Sequence, residues 1–215
     1  MRRSPRISWA DAMPEKSIAL LILSGGMSTR FGNRRKILLE CEGRSFASRI
    51  LDAFEGFNRV YLSVDREEKY RELGLPMIED KFPGCGPLGG IASGLMACEE
   101  DALFVVACDM PFVTKEAVWH MLEIYAERDG ILLAANGDLL EPLFGIYPRT
   151  VLETAVEMLE NGHYRARDLF SAFGGNVVQI GDRQSFVNIN TPEEYRMYAG
   201  NGDGSRENRK ADSGS

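Results

Sequence analysis

The stretch IALLILSGGMSTRFGNRRK, Ile18 to Lys36, decides how the rest of the chain is read. Its first six residues are apolar without a break, the pattern of a strand buried on both faces of a sheet. The run stops at Gly25-Gly26, and between Ser24 and Lys36 stand Arg30, Arg34, Arg35 and Lys36 with no acid. Two adjacent glycines allow positive φ and let backbone N–H groups approach a ligand without interference from Cβ. Arg30 and Lys36 add side-chain donors for phosphate oxygens, the guanidinium in bidentate fashion. A turn carrying solvated charge is the alternative; the position of the loop at the end of a buried strand favours anion binding. The loop fits neither GxxxxGK[ST] nor GxGxxG, so it is neither a Walker A loop nor a dinucleotide fingerprint.

Outward from this stretch, strand-like and helix-like segments alternate. Strands are expected at Ile18–Leu23, Arg59–Val64, Met77–Ile78, Ala102–Ala107, Ile131–Ala135, Leu143–Tyr147 and Val177–Ile180. Helical spacing covers Ser45–Phe54, Arg66–Leu73, Leu88–Cys98, Thr114–Glu127, Arg149–Glu160, Ala166–Phe170 and Pro192–Met197. Alternating β and α units with fully apolar strands predict an α/β fold, a three-layer sandwich about a mostly parallel, Rossmann-like sheet. In such sheets ligands sit beyond the carboxyl ends of the strands. The basic start MRRSPRISWADAMPEK is expected to be a disordered leader over residues 1–16, and the polar Gly/Ser-rich residues 200–215 a disordered tail. A single domain then spans 17–199.

The chain of 215 residues carries a formal net charge of −7, which argues against non-specific binding to nucleic acid. Local positive charge on an acidic protein suits a small anionic ligand instead. The start resembles a signal-peptide n-region, but the apolar run after it is short and lacks a cleavage site. No apolar stretch is long enough to span a bilayer, so a cytoplasmic protein without membrane contact is expected. Cys41, Cys85, Cys98 and Cys108 show no zinc spacing and no CxxC pair, consistent with reduced thiols.

The loop LSGGMSTRFGNRRK resembles the signature of nucleotidyltransferases with a GT-A-like fold, L-A-G-G-x-S-x-R-x-G…K. Its double glycine is similar to that of the molybdenum cofactor guanylyltransferase family, where cytidylyltransferase relatives carry Ala-Gly. Ser24 stands in place of the usual Ala, and Arg35 in place of an Asp that commonly precedes the lysine. The resemblance implies nucleotide contacts from Leu23, Ser24, Gly25, Gly26, Arg30 and Lys36. It continues with Asp65 in SVDR, where the family often has Asn, and with MIEDKFPGCGPLGGIASGL, Met77 to Leu95. Asp80 has a physical reason to matter: guanine presents N1–H and its N2 amino group side by side, and one carboxylate can accept both. Gly86, Pro87 and Leu88 open a helix with proline in its first turn, and packing or close approach of a nucleoside could each demand the glycines.

FVVACDMPFV, Phe104 to Val113, delivers Asp109 at the carboxyl end of an apolar strand that Pro111 terminates. A carboxylate there can hold Mg²⁺ against nucleotide phosphates, and CDMP is similar to the family's metal-binding C-D-x-P. Cys108 reads as a packed thiol. EPLFGIYP, Glu141 to Pro148, resembles the family's P-L-x-G-I-Y strand bordering the acceptor, though a plain core strand would explain Leu143 and Ile146. In GHYRARDL, Arg167 matches a basic family position that could meet an acceptor phosphate. FVNINTPEEY places Asn188 and Asn190 at alternate positions, hence on one face, where they could complete a metal shell or orient the acceptor. Thr191 is an N-cap with Glu193 and Glu194 in the favourable first turn.

The resemblance thus implies transfer of GMP from GTP to molybdopterin, with Mg²⁺, release of pyrophosphate, and molybdoenzymes or delivery proteins as partners. Cytidylyl transfer to molybdopterin or to a small phosphorylated alcohol is the alternative within the superfamily. A non-catalytic nucleotide- or cofactor-binding relative is the alternative outside catalysis, and Arg35 keeps it open.

Overall fold

The computed structural model describes residues 16–24 and 35–199. In chain order the elements are β1 (Ile18–Leu23), β2 (Glu40–Cys41), β3 (Arg44–Ser45), α1 (Phe46–Ala53), β4 (Val60–Val64), β5 (Met77–Glu79) and α2 (Gly86–Ala97). Then follow β6 (Ala102–Ala107), α3 (Lys115–Ala126), β7 (Ile131–Asn136), β8 (Leu139–Pro148), α4 (Leu152–Glu160), α5 (Ala166–Phe173), β9 (Gly175–Gln179) and α6 (Pro192–Tyr198). Seven strands form one sheet in the order β5-β4-β1-β6-β8-β7-β9. β8 runs antiparallel to both its neighbours, and the remaining pairs are parallel.

Period-two geometry sorts each strand's side chains between two cores. Leu20, Ile22, Phe104 and Val106 face α1 and α3, meeting Ile50, Phe54, Val118 and Met121. Ala19, Leu21, Leu23, Leu103 and Val105 face α2, α4 and α5, meeting Leu88, Ile91, Leu95, Leu159 and Leu169. All six residues of β1 are buried, as are all six of β6, so the unbroken apolar runs have their physical cause. Each large aliphatic side chain buried this way stabilises the fold by about 1.5–3 kcal/mol before entropy is counted. Side-chain caps start α1, where Ser45 Oγ accepts from Ser48 N at 3.1 Å, and α3, where Thr114 Oγ1 accepts from Ala117 N at 3.3 Å.

The chain goes from β1 outward to β4 and β5, and α2 then carries it back to β6 on the opposite side of β1. The order reverses between β1 and β6, and their register, Leu23 opposite Ala107, brings both carboxyl ends level at that crevice.

Several elements differ from the sequence expectation. Arg66–Leu73 forms two short 3-10 turns, Glu67–Lys69 and Arg71–Leu73, instead of a helix; its residues are mostly exposed and supply no apolar stripe to pack. β8 begins at Leu139, not Leu143, because Gly137 (φ +60) turns the chain back and pairs Asn136 with Leu139. The small β2–β3 hairpin was not anticipated; Glu42 and Gly43 both adopt positive φ there. Residues 1–15 and 200–215, most of the expected leader and the whole tail, lie outside the described residues. Lys16, the last residue of the expected leader, pairs with Asp129 at 2.9 Å and lies 5.4 Å from the ring centre of Tyr125.

Candidate active site

Three separate sequence motifs meet where β1 and β6 end. Cys108 N donates to Leu23 O at 3.0 Å, so the chain leaving β6 stays beside β1 for one more residue. A tight turn follows, with Met110 N bonded to Ala107 O at 3.2 Å, and it presents Asp109. Lys36 enters on a 3-10 turn, Lys36–Leu38, whose Ile37 is fully buried and anchors it. Its ammonium donates to Asp109 Oδ2 at 3.0 Å and to Asn190 Oδ1 at 2.9 Å. Asn190 is held in turn from the backbone. Ile189 N donates to Asp109 O at 2.9 Å, and Asn190 N donates to Glu194 Oε2 at 2.6 Å.

That last bond extends a full capping box at the start of α6. Thr191 Oγ1 accepts from Glu194 N at 3.1 Å while Glu194 Oε2 accepts from Thr191 N at 3.0 Å. These backbone bonds, that from Asn190 first, hold the Glu194 carboxyl below the usual carboxylate range. The TPEE sequence therefore fixes a helix start and, through it, the residue that faces Lys36.

Asn188 and Asn190 flank Ile189, which is fully buried in a small cluster with Phe46 and Phe112. Asn188 Nδ2 donates to Glu141 Oε2 at 3.3 Å, and Glu141 Oε1 accepts from Leu143 N at 3.3 Å. Asn188 Oδ1 is buried and has no hydrogen-bond partner among the described residues. Burial pushes the Glu141 carboxyl above its ordinary value, opposed by its bonds from Leu143 and Asn188; the nearby charge of Asp109 adds to the rise.

The remaining sequence candidates are distributed as follows. Leu23 and Ser24 are buried at the end of β1. Gly25, Gly26 and Arg30 lie outside the described residues. Asp65 is exposed and pairs with Lys69. Asp80 follows β5, and its Oδ1 accepts from Phe82 N at 2.8 Å and Ser93 Oγ at 3.1 Å, which ties the carboxylate to α2. Gly86 takes φ +61 at the start of α2, with Pro87 exposed beside it and Leu88 buried beneath. A Cβ on Gly86 would stand 3.6 Å from Tyr164 O, so the Gly-Pro-Leu corner and the loop before α5 adjoin. Arg167 is exposed in the first turn of α5. Cys108 is buried, and desolvation pushes its thiol up to about 12, so it is protonated at neutral pH and no nucleophile. Arg35 pairs with Glu72, and its guanidinium carbon lies 5.9 Å from the ring centre of Tyr70.

A family model described as the MobA-like NTP transferase domain matches residues 20–177. The chain belongs to that family. It is 33% identical over 192 residues to a probable molybdenum cofactor guanylyltransferase of Clostridium perfringens, covering 85% of this chain and 96% of that one. It is 30% identical over 182 residues to a molybdenum cofactor guanylyltransferase of Vibrio parahaemolyticus, covering 83% and 93%. Among solved structures it is similar to molybdopterin-guanine dinucleotide biosynthesis protein A from Archaeoglobus fulgidus. The TM-score there is 0.68 at 23% identity, over 84% of this chain and 96% of that one. It is also similar to 2-C-methyl-D-erythritol 4-phosphate cytidylyltransferase from Thermus thermophilus, with a TM-score of 0.62 at 17% identity, over 83% and 96%. At those identities the two structures establish the shared fold and no more.

As a MobA-like NTP transferase domain, the chain has its acid, lysine and asparagine at the strand ends where its fold binds ligands. Two residues beside this cluster, Glu141 and Tyr70, are not marked as site residues by any sequence motif. Glu141 sits at the head of a segment that a plain core strand explains, although an acid within an apolar strand segment is itself a signal. Tyr70 carried no signal, since a lone aromatic between polar residues says nothing about which elements it joins.

Proposed function

We propose that this chain transfers GMP from GTP to the terminal phosphate of molybdopterin and releases pyrophosphate. The observation that carries the reading is the meeting of Lys36, Asp109 and Asn190, from three motifs far apart in sequence, at the β1/β6 crevice. The names of the relatives support guanylyl transfer and the acceptor.

In the transfer an acceptor phosphate oxygen attacks the α-phosphorus, the bond to the bridging oxygen breaks, and pyrophosphate leaves. Two anions must be brought together, so the protein's part is charge neutralisation and alignment. Lys36 supplies a cation for the triphosphate and for charge growing on the leaving group. Asp109 Oδ2 and Asn190 Oδ1 already converge on one cationic atom, and a carboxylate with a carboxamide oxygen is a donor set that suits Mg²⁺. These two residues would hold the ion, which supplies further neutralisation at the phosphates. A phosphate monoester is itself largely anionic at neutral pH, with a second pKa of about 6, so a dedicated general base is not required. His120 and His163 are both exposed and take no part in this reading.

Pyrophosphate release, measured for each of the four nucleoside triphosphates with and without molybdopterin and Mg²⁺, tests the proposal. Release is expected only with GTP, acceptor and Mg²⁺ together. Turnover with CTP instead would make the chain a cytidylyltransferase. Nucleotide binding with no turnover would make it a binding or delivery protein.

A further inference from the structure

The segment between β4 and β5 places one buried side chain against both residues that border the basic loop. Tyr70 is 4% exposed, and its hydroxyl donates to Ser24 O at 3.2 Å, immediately beyond β1. On the other side of the loop, Arg35 lies over the Tyr70 ring at 5.9 Å and pairs with Glu72, two residues along from that tyrosine. Arg35 O in turn accepts from Leu38 N at 3.0 Å, closing the 3-10 turn that carries Lys36.

We propose that Tyr70 is a positioning residue that, with Arg35 and Glu72, ties the end of β1 to the Lys36 turn and so sets Lys36 against Asp109. The inference rests on the site being a nucleotidyl-transfer centre. Burial obliges the Tyr70 hydroxyl to find a partner, and the one it takes is the Ser24 carbonyl at the end of β1. Cation–π contact and the ion pair account for an arginine at position 35, because its charge is engaged by Tyr70 and Glu72. Holding Ser24 and the Lys36 turn in place before a nucleotide arrives is the ordinary gain from preorganisation.

The test uses the full chain with Tyr70→Phe, which keeps the ring, and Glu72→Gln, which loosens Arg35. Two quantities are measured: steady-state kinetics for GTP, and amide exchange of Ser24, Leu38 and Leu39 by mass spectrometry. Both variants are expected to raise the KM for GTP by roughly three- to tenfold, with kcat changed less, the size expected for one lost polar contact. Faster exchange at the three amides accompanies it, with thermal midpoints close to the parent. Were Arg35 instead a direct phosphate ligand restrained by Glu72, Glu72→Gln would lower KM, and that result overturns the proposal. So does Tyr70→Phe with parental KM and parental exchange. If the parent chain turns over no nucleoside triphosphate, the transfer reading fails by itself, and the exchange measurement still decides whether Tyr70 holds the two segments together.

Discussion

Lys36 Nζ lies between Asp109 Oδ2, at 3.0 Å, and Asn190 Oδ1, at 2.9 Å, and the Lys36 and Asp109 side chains are only 17% and 19% exposed. A partly dehydrated ion pair of this kind links the loop after β1, the turn after β6 and the start of α6. Low exposure strengthens the attraction and raises the penalty for removing one partner.

Asp109→Ala removes the anionic partner of a partly buried ammonium and the metal ligand assigned to it. Turnover should be lost, and stability should fall by about 1–3 kcal/mol because Lys36 loses a charge-assisted hydrogen bond. Pyrophosphate release and denaturant titration report the two effects separately. Activity near the parent's would remove Asp109 from the mechanism.

Lys36→Ala should reduce the rate by at least about tenfold, the factor that 1.4 kcal/mol of lost transition-state stabilisation produces. Lys36→Arg keeps the charge but brings a planar fork in place of a point donor, so it should recover only part of the loss. An unchanged rate in the alanine variant would leave Lys36 a purely structural cation.

Glu141 gives a prediction in pH. Its carboxyl is raised above the ordinary 4.5 by burial, so the fold favours the protonated form. The parent's stability from this group is fully present below that value and is lost as pH rises through the raised one. Glu141→Gln cannot ionise, and its carboxamide oxygen can still accept from Leu143 N or from Asn188 Nδ2. The variant should gain stability over the parent as pH climbs from the ordinary glutamate value toward neutrality, with little pH-dependent change below it. Parallel unfolding midpoints across that range would contradict the assignment.

Gly145 tests why the strand after Glu141 carries a glycine. A Cβ there would stand 2.8 Å from Leu132 O and 2.5 Å from Leu133 Cδ2, at the point where the β7–β8 register shifts. Backbone cannot yield cheaply, so Gly145→Ala should cost about 1–3 kcal/mol. A chemical-denaturation midpoint equal to the parent's would show that the hairpin accommodates the methyl.

The elements legible from residue pattern were those whose signal is local. IALLIL and ALFVVA are buried on both faces in adjacent parallel strands, as unbroken apolarity implies. Pro111 and the apolar run before it were enough to place Asp109 just past a strand's carboxyl end. Thr191 and Glu194 were legible as a helix start for the same reason, although the second half of their capping box became visible only in the structure. Arg66–Leu73 misled because its charges fit a polar helix as well as they fit turns. The Asn136-Gly137 pair is a local hairpin signal, and it sets the start of β8 four residues before the apolar run at Leu143.

By itself, the sequence determined the layered α/β architecture and the end of the sheet where function belongs, because strand burial and chain reversal are written in neighbouring residues. Tertiary structure alone decided that Lys36 meets Asp109 and Asn190, 73 and 154 residues away, that Glu141 faces Asn188, and that Arg35 turns to Tyr70 and Glu72. Those contacts join segments with no periodic relation to one another, and only the assembled sheet, which brings together the loops beyond its strand ends, sets them side by side.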